Sequence, residues 1–367
     1  MIRIATVFSG IGAAEFALKR LNIEHNIIFA CDNGNVVFDY DKEIEFQKVS
    51  SLSTVKEKHD YVEQLYARNS RKHNFVKDSY LANYKCNAQS FYQDVILLDG
   101  TPYHNKVDLF IGGSPCQSFS TVGCQQGFKD RRGNLFFEFT RLVKEIQPKV
   151  FIYENVHGVL NNSNKMTWEI MTREFDNLGY SYSYFVLNAK DYGIPQNRRR
   201  LFVVGFKNKK YKIEKPIKKE LKLTMQDFLV ESTEFGGMTF DFNGDIVFSK
   251  KSGVIGPEYF LSQCVSSYVM KTGTKNWISK PETDLPIART LLSTMGNHHR
   301  AAVDNYVTIN GKLRSLSERE AHRLMGFTDD YRIVVSKAQG YKQAGNSIVV
   351  DVMMSLIQAI IKTGVFK

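Results

Sequence analysis

The sequence predicts an α/β protein: a mostly parallel sheet flanked by helices, joined to a smaller lobe of short strands and loops. Three observations carry this reading. The chain opens on a strand, a glycine-rich turn and a helix. Short apolar runs then recur at intervals that suit strands separated by helices. Beyond a lysine-dense stretch near residue 207 that rhythm stops.

The elements follow in order. Ile2 to Phe8 is an apolar run and Ser9-Gly10-Ile11-Gly12 a tight turn. Ala14, Ala17, Leu18 and Leu21 recur at helical spacing. A second run, Ile27 to Cys31, ends in Asp32, 20 residues beyond Gly12. An acidic residue at that distance typically meets a ribose hydroxyl in nucleotide-binding α/β folds. The glycine fingerprint is incomplete, because Ala13-Ala14-Glu15 follow, and a close strand–helix contact explains the turn equally well. The polar stretch from Tyr40 to Tyr84 reads as a helical insertion, about residues 40–85. Strand-like runs resume at Val107–Ile111, Val150–Tyr153 and Leu201–Gly205. Between the first two, Phe136, Phe139, Leu142, Val143 and Ile146 share one helical face, as core packing requires.

Lys207 to Lys222 is dense in lysine and marks a domain boundary. It reads as a solvated hinge, as a phosphate-contacting segment or as both at once, with Lys209, Lys210 and Lys212 the residues to test. Leu223 to Val307 is rich in Gly, Ser and Thr and reads as short strands and loops. Ile348, Val349, Val352, Met353, Leu356 and Ile360 outline an amphipathic helix that returns to the first lobe. The expected division is 1–206 for a first domain, 207–310 for a second domain including the lysine-rich linker, and 311–367 for a segment returning to the first. No internal repeat is evident.

A chain of 367 residues with 43% hydrophobic content is long enough for two lobes and too apolar to be disordered. Its net charge of +11 favours a polyanionic partner. The five cysteines, Cys31, Cys86, Cys116, Cys124 and Cys264, show no Cys-x-x-Cys spacing, so neither a zinc site nor a disulfide framework is indicated. The adjacent pair His298-His299 is poorly spaced for two ligands on one helix face. The apolar start, Ile4 to Ala14, is broken by glycines and closed by Glu15, unlike a signal peptide or membrane span. A soluble protein of a reducing compartment is expected.

The most informative segment is Gly112-Gly113-Ser114-Pro115-Cys116-Gln117-Ser118-Phe119-Ser120. It offers a cysteine in a Gly/Pro/Ser-rich turn directly after a strand. In open α/β sheets that edge binds ligands, and a thiolate there is a candidate nucleophile. A free cysteine is otherwise usually a small buried apolar residue.

The rest of the pattern favours the nucleophile. Phe8-Ser9-Gly10-Ile11-Gly12, Pro115-Cys116-Gln117, Glu154-Asn155-Val156, Gln196-Asn197-Arg198-Arg199-Arg200 and Gly345-Asn346-Ser347 occur in this order. Gly127 to Phe137, Asn188 to Pro195 and Arg323 to Phe327 add to them. Together they resemble the DNA (cytosine-5) methyltransferase family of the bacterial and phage restriction–modification type. The resemblance implies a Rossmann-like, S-adenosylmethionine-dependent catalytic domain with a smaller, mostly β and loop target-recognition domain.

It also implies roles. Cys116 adds to carbon 6 of cytosine, Glu154 serves ring N3, Arg200 meets O2, Arg198 positions Glu154 and its loop, and Arg199 faces solvent. Phe8, Gly10, Ile11, Gly12, Asp32, Asp94, Val95, Pro115, Leu135 and Asn346 surround S-adenosylmethionine, with Asp32 on the ribose and Asp94 on the adenine amine. Gln117, Ser120 and Arg132 close around a flipped base in duplex DNA. Ala13 stands where the family more often has glycine. A cytoplasmic, nucleoid-associated monomer is expected, with no metal and no membrane attachment. A restriction endonuclease would act beside it without a stable complex. Three other readings compete: a tRNA methyltransferase of the same family, a catalytically silent DNA-binding relative, and a nicotinamide-dependent dehydrogenase. The last leaves Cys116 and the arginine run unexplained.

Overall fold

A computed structural model of the protein describes residues 1–115, 135–161, 165–230, 237–249, 253–274, 277–278, 281–296, 299–300 and 302–367. Cys116, Gln117, Ser120, Cys124, Arg132 and His298 therefore lie outside the described residues.

The central sheet is built from Ile2–Val7 (β1), His25–Cys31 (β2), Phe91–Tyr92 (β3), Leu109–Gly112 (β4), Val150–Val156 (β5) and Ser181–Asn188 (β6). A two-residue strand, Gln196–Asn197 (β7), precedes its seventh member, Arg199–Phe206 (β8). The order is β3-β2-β1-β4-β5-β8-β6. Neighbours from β3 to β5 run parallel, and β8 lies antiparallel between β5 and β6. Strands buried on both faces need near-continuous apolar sequence, which is why the parallel β1, β4 and β5 and the antiparallel β8 were visible as runs.

Residues alternate between two cores. Ile4, Leu109, Ile111, Ile152 and Val204 face one side, where helix Ala13–Arg20 (α1) packs. Val7, Phe110, Phe151, Tyr153 and Val203 face the other.

Between β2 and β3 the chain forms Lys42–Ser51 (α2), Val55–Asn69 (α3) and Phe75–Asn83 (α4). Asp41, Thr54 and Asn74 cap these helices by accepting from first-turn N–H groups. On the second core side, Leu135–Ile146 (α5) and Met166–Asn177 (α6) cover the sheet.

Between residues 207 and 315 the elements are short. Gly237–Phe240 (β9) pairs with Ile246–Ser249 (β10), and Gly273–Thr274 (β11) with Trp277–Ile278 (β12). Gln263–Val269 (α7) lies between these hairpins. Ala288–Arg289 (β13) runs parallel to β7, which ties this region to the segment before β8. Tyr306–Ile309 (β14) and Lys312–Ser315 (β15) form a last hairpin. The chain then closes with Glu318–Arg323 (α8), Lys337–Asn346 (α9) and Val350–Lys362 (α10).

Helix α10 packs on α1, and the buried Arg20–Asp351 pair, 2.7 Å apart, joins them. Removing one member of such a pair costs roughly 3–5 kcal/mol, because the other charge is left buried alone. The apolar stretch Lys337–Lys362 is long enough to cross a membrane, but 72% of its most apolar window is buried in this core.

The linker departs from the edge opposite the strand ends that carry the motifs. Phe206 pairs with Val150 and Ser181, whereas Arg200 pairs with Val156 and Leu187 at the other end of β8. The two ends are about 20 Å apart at roughly 3.3 Å per residue. Lys209, Lys210 and Lys212 are exposed at that far edge.

Candidate active site

At the carboxyl edge of the sheet, β1 ends in a turn that no ordinary backbone makes. Phe8, Gly10 and Gly12 all adopt positive φ, at 53°, 52° and 76°. Such conformations suit glycine but strain a phenylalanine, and strain of this kind gathers at functional sites. Gly12 begins α1, and a Cβ there would stand 2.2 Å from the ring of Tyr84.

Asp32 follows β2 and braces the turn. Its Oδ2 accepts from the Gly10 N–H at 2.9 Å and its Oδ1 from the Gly34 N–H at 2.8 Å. Burial pushes this carboxyl above the usual range, and the two N–H groups and Lys342 partly offset that. Asp94, just after β3, is buried. It accepts from the Ile96 N–H and from the hydroxyls of Tyr40 and Tyr66.

Beyond β4, Gly113 and Ser114 lead towards Cys116. A Cβ on Gly113 would lie 2.8 Å from Glu154 Oε2 and would push the carboxylate from this position. Asn155 donates to the Ser114 carbonyl at 3.2 Å and to the Tyr153 hydroxyl at 2.9 Å. Tyr153 and Ser114 share a further hydrogen bond of 2.6 Å. The ends of β4 and β5 are thus locked together two residues before Cys116.

Glu154 opposes Phe202 across the β5–β8 ladder, which sets Arg200 diagonally beside it on the same face. Arg200 Nε lies 3.2 Å from Glu154 Oε1. Burial raises the Glu154 carboxyl, while Arg200 and then Arg198 pull it back, leaving a net rise. A carboxyl held high by burial suits an acid that must carry its proton near neutral pH.

Arg198 was expected to position Glu154, and its bonds go elsewhere. It donates to the carbonyls of Leu291, Gly345 and Ser347 at 2.9, 2.9 and 2.8 Å. It is buried, with its pKa lowered to about 9 by burial and by Arg200. Arg198 therefore clamps β8 to the loop after β13 and to the end of α9. Gly345 permits that approach, since a Cβ there would sit 2.3 Å from the Leu292–Ser293 peptide. Arg199 between the two is exposed, as strand alternation dictates.

One cavity of about 760 Å³ runs through the site. Phe8, Gly10, Ile11, Asp32, Asp94, Val95, Pro115, Leu135, Glu154, Arg198, Arg200 and Asn346 all line it. Gly12 does not; it sits behind the wall, under Tyr84. Tyr40, Tyr66, Gln339 and Lys342 also line the cavity and were not expected from the sequence. Gln339, Lys342 and Asn346 sit at i, i+3 and i+7 of α9, a spacing that could have shown the second and first from the third. Cys31 lines it too, but burial, Asp94 and Asp32 hold its thiol protonated. Among the described residues no cluster of three His, Cys, Asp or Glu could hold a metal.

A sheet with one antiparallel strand next to its edge, a glycine turn after β1 and a Glu–Arg pair after β5 define a class. The chain belongs to the family of C-5 cytosine-specific DNA methylases, whose family model matches residues 46–362. It is a DNA (cytosine-5) methyltransferase. Among its relatives is type II methyltransferase M.HhaI of Haemophilus parahaemolyticus, 36% identical over 250 residues, covering 67% of this chain and 73% of that protein. Another is type II methyltransferase M2.ScrFI of Lactococcus lactis subsp. cremoris, 28% identical over 99% of this chain and 100% of that protein. The fold matches the crystal structure of the S. pombe Dnmt2 methyltransferase with a TM-score of 0.68 at 17% identity, over 99% of both chains.

Proposed function

We propose that the protein methylates carbon 5 of a cytosine flipped out of a specific duplex DNA sequence, using S-adenosylmethionine and a covalent adduct at Cys116. The observation that carries this is the Glu154–Arg200 pair, which opens onto the same cavity as Asp32 and the strained glycine turn.

The cavity's volume lies within the range of about 300–1,000 Å³ common for small-molecule sites. Asp32 and Asp94 offer acceptors for ribose hydroxyls and an adenine amine, beside Phe8, Ile11 and Val95. The donor, when bound, supplies an electrophilic methyl group on a sulfonium.

Carbon 5 of cytosine is a poor nucleophile until carbon 6 is attacked. Cys116 forms a sulfur–carbon bond to carbon 6, and the ring's electron pair moves towards N3. Glu154, protonated, gives a hydrogen bond or its proton to N3, and Arg200 holds charge at O2. Carbon 5, now enamine-like, would take the methyl group as its bond to the donor's sulfonium sulfur breaks, releasing a neutral thioether. A base then removes the carbon 5 proton, and the thiolate leaves as the ring regains aromaticity. Arg198 holds the frame of this site.

Extruding the base costs a few kcal/mol. Residues 207–310, with their short hairpins, would form the target-recognition unit. Residues 1–206 and 311–367 would form the catalytic domain. Gln117, Ser120 and Arg132 would contact the DNA around the flipped base. The protein would act as a cytoplasmic, nucleoid-associated monomer, beside any restriction endonuclease without a stable complex.

The test is expression in a methylation-free host, followed by mapping of 5-methylcytosine. Methylation confined to one recurring duplex sequence is the expected result. Methyl incorporation into tRNA with none in DNA would overturn it.

A further inference from the structure

The segment between β2 and β3 supplies none of the reacting groups, yet it touches three loops of the donor site. Tyr84 donates to the carbonyls of Ile11 and Gly12 in the glycine turn, at 3.0 and 2.6 Å. Asn74 donates to the Asp32 carbonyl at 2.8 Å. On the far side, Gln343 of α9 accepts from Ser79 and donates to the Phe75 carbonyl.

The third loop is the most telling. Tyr40 and Tyr66 both donate to Asp94 Oδ2, at 2.6 and 2.9 Å. The Ile96 N–H occupies one position on Oδ1, at 2.8 Å. A carboxylate has about four acceptor positions, so three are filled and one remains, on Oδ1. Both tyrosines and Asp94 line the cavity. Burial, and next the Asp94 charge, push both phenols far above their ordinary range, so they remain donors at every working pH.

We propose that residues 36–84 are the outer wall of the methyl-donor pocket, and that Tyr40 and Tyr66 are positioning residues that leave Asp94 one acceptor for an exocyclic amine. The purine with a 6-amino group is thereby selected over its 6-oxo counterpart. This rests on the donor-site reading above. A site built to hydrogen-bond one group rejects an analogue lacking it, because a buried polar atom is left unpaired. Without the two phenols, Oδ2 would be buried and unpaired. The carboxylate would then be free to turn, and its remaining acceptor would no longer be held for the exocyclic amine.

The test is calorimetric binding of S-adenosylhomocysteine and S-inosylhomocysteine to the wild type, Tyr40→Phe, Tyr66→Phe, the double variant and Asp94→Asn. The wild type should prefer the adenosyl ligand by about 100-fold or more. The double variant should narrow that preference by about tenfold, the worth of one modest hydrogen bond, while its ligand-free melt stays cooperative. Each single variant should fall between, and Tyr40→Phe alone tests the proposal if the double variant does not fold. An unchanged preference in the tyrosine variants, together with collapse in Asp94→Asn, would overturn the positioning role and keep the donor-site reading. An unchanged preference in Asp94→Asn would overturn both.

Discussion

The two edges of the central sheet carry similar charges and treat them differently. At the amino edge, Arg3 grips Asp108 through Nε and Nη2 at 2.9 and 3.0 Å, and Lys149 adds a third contact at 3.0 Å. Burial alone would raise Asp108, but Arg3 and Lys149 bring it down to about 2. At the carboxyl edge, Asp32 and Glu154 are both raised by burial that their partners only partly offset. The same strands connect both edges, so the difference lies in pairing. Charges that are fully paired hold the fold. Charges left partly unpaired beside a cavity keep capacity for a ligand. The exposed start of the lysine linker belongs to the first edge.

The largest expected effect comes from the raised carboxyl. Glu154→Gln should lower the rate of methyl transfer by about 10²- to 10⁴-fold, the worth of a general acid, without loss of DNA binding. The sign of the pH dependence follows from the direction of the shift. The acid form is required, it is present below the raised pKa, and it is lost above it. The wild-type rate should therefore fall on the alkaline side of that pKa, and single-turnover profiles of Glu154→Gln should lack this limb. A variant that keeps the limb would assign it to another group.

A middle-sized effect is expected at Asp32. Asp32→Ala should weaken donor binding by about 10- to 100-fold, as the loss of a charged acceptor implies, and leave DNA binding intact. Calorimetry showing unchanged donor affinity would remove Asp32 from the site. The smallest effect is expected at the opposite edge. Replacing Lys209, Lys210 and Lys212 with Gln should leave the salt dependence of DNA binding nearly unchanged from the wild type. Each lost phosphate contact would lower the slope by about one. A drop of about three would show that DNA reaches the amino edge and would break the comparison.

Much of the fold was legible because buried parallel strands are written as apolar runs. The edge strand β6 was not, since Ser-Tyr-Ser-Tyr precedes its buried Leu187 and most of it is only half covered. Helix α6 was missed for a similar reason, with only Thr167, Met171, Glu174 and Phe175 buried. The residues of the site were named through local motifs. Their partners were not, because those contacts are remote in sequence. Tyr40 and Tyr66 meet Asp94 across 54 and 28 residues, and Arg198 meets Leu291, Gly345 and Ser347 across 93 to 149. Spacing shows a motif; only the folded chain shows what holds it.

The central claim is that Cys116 joins covalently to the target base. Fluorine at carbon 5 cannot be removed as a proton is, so the complex should stop after methyl transfer. Duplex DNA carrying 5-fluorocytosine in the recognition sequence, incubated with S-adenosylmethionine, should give a protein–DNA adduct that survives denaturing electrophoresis. Peptide mapping should place the bond on Cys116. Cys116→Ser should abolish both adduct and turnover, because a neutral hydroxyl is a far weaker nucleophile than a thiolate. A bond mapped to Cys31, Cys86, Cys124 or Cys264, or full activity in Cys116→Ser, would contradict the account.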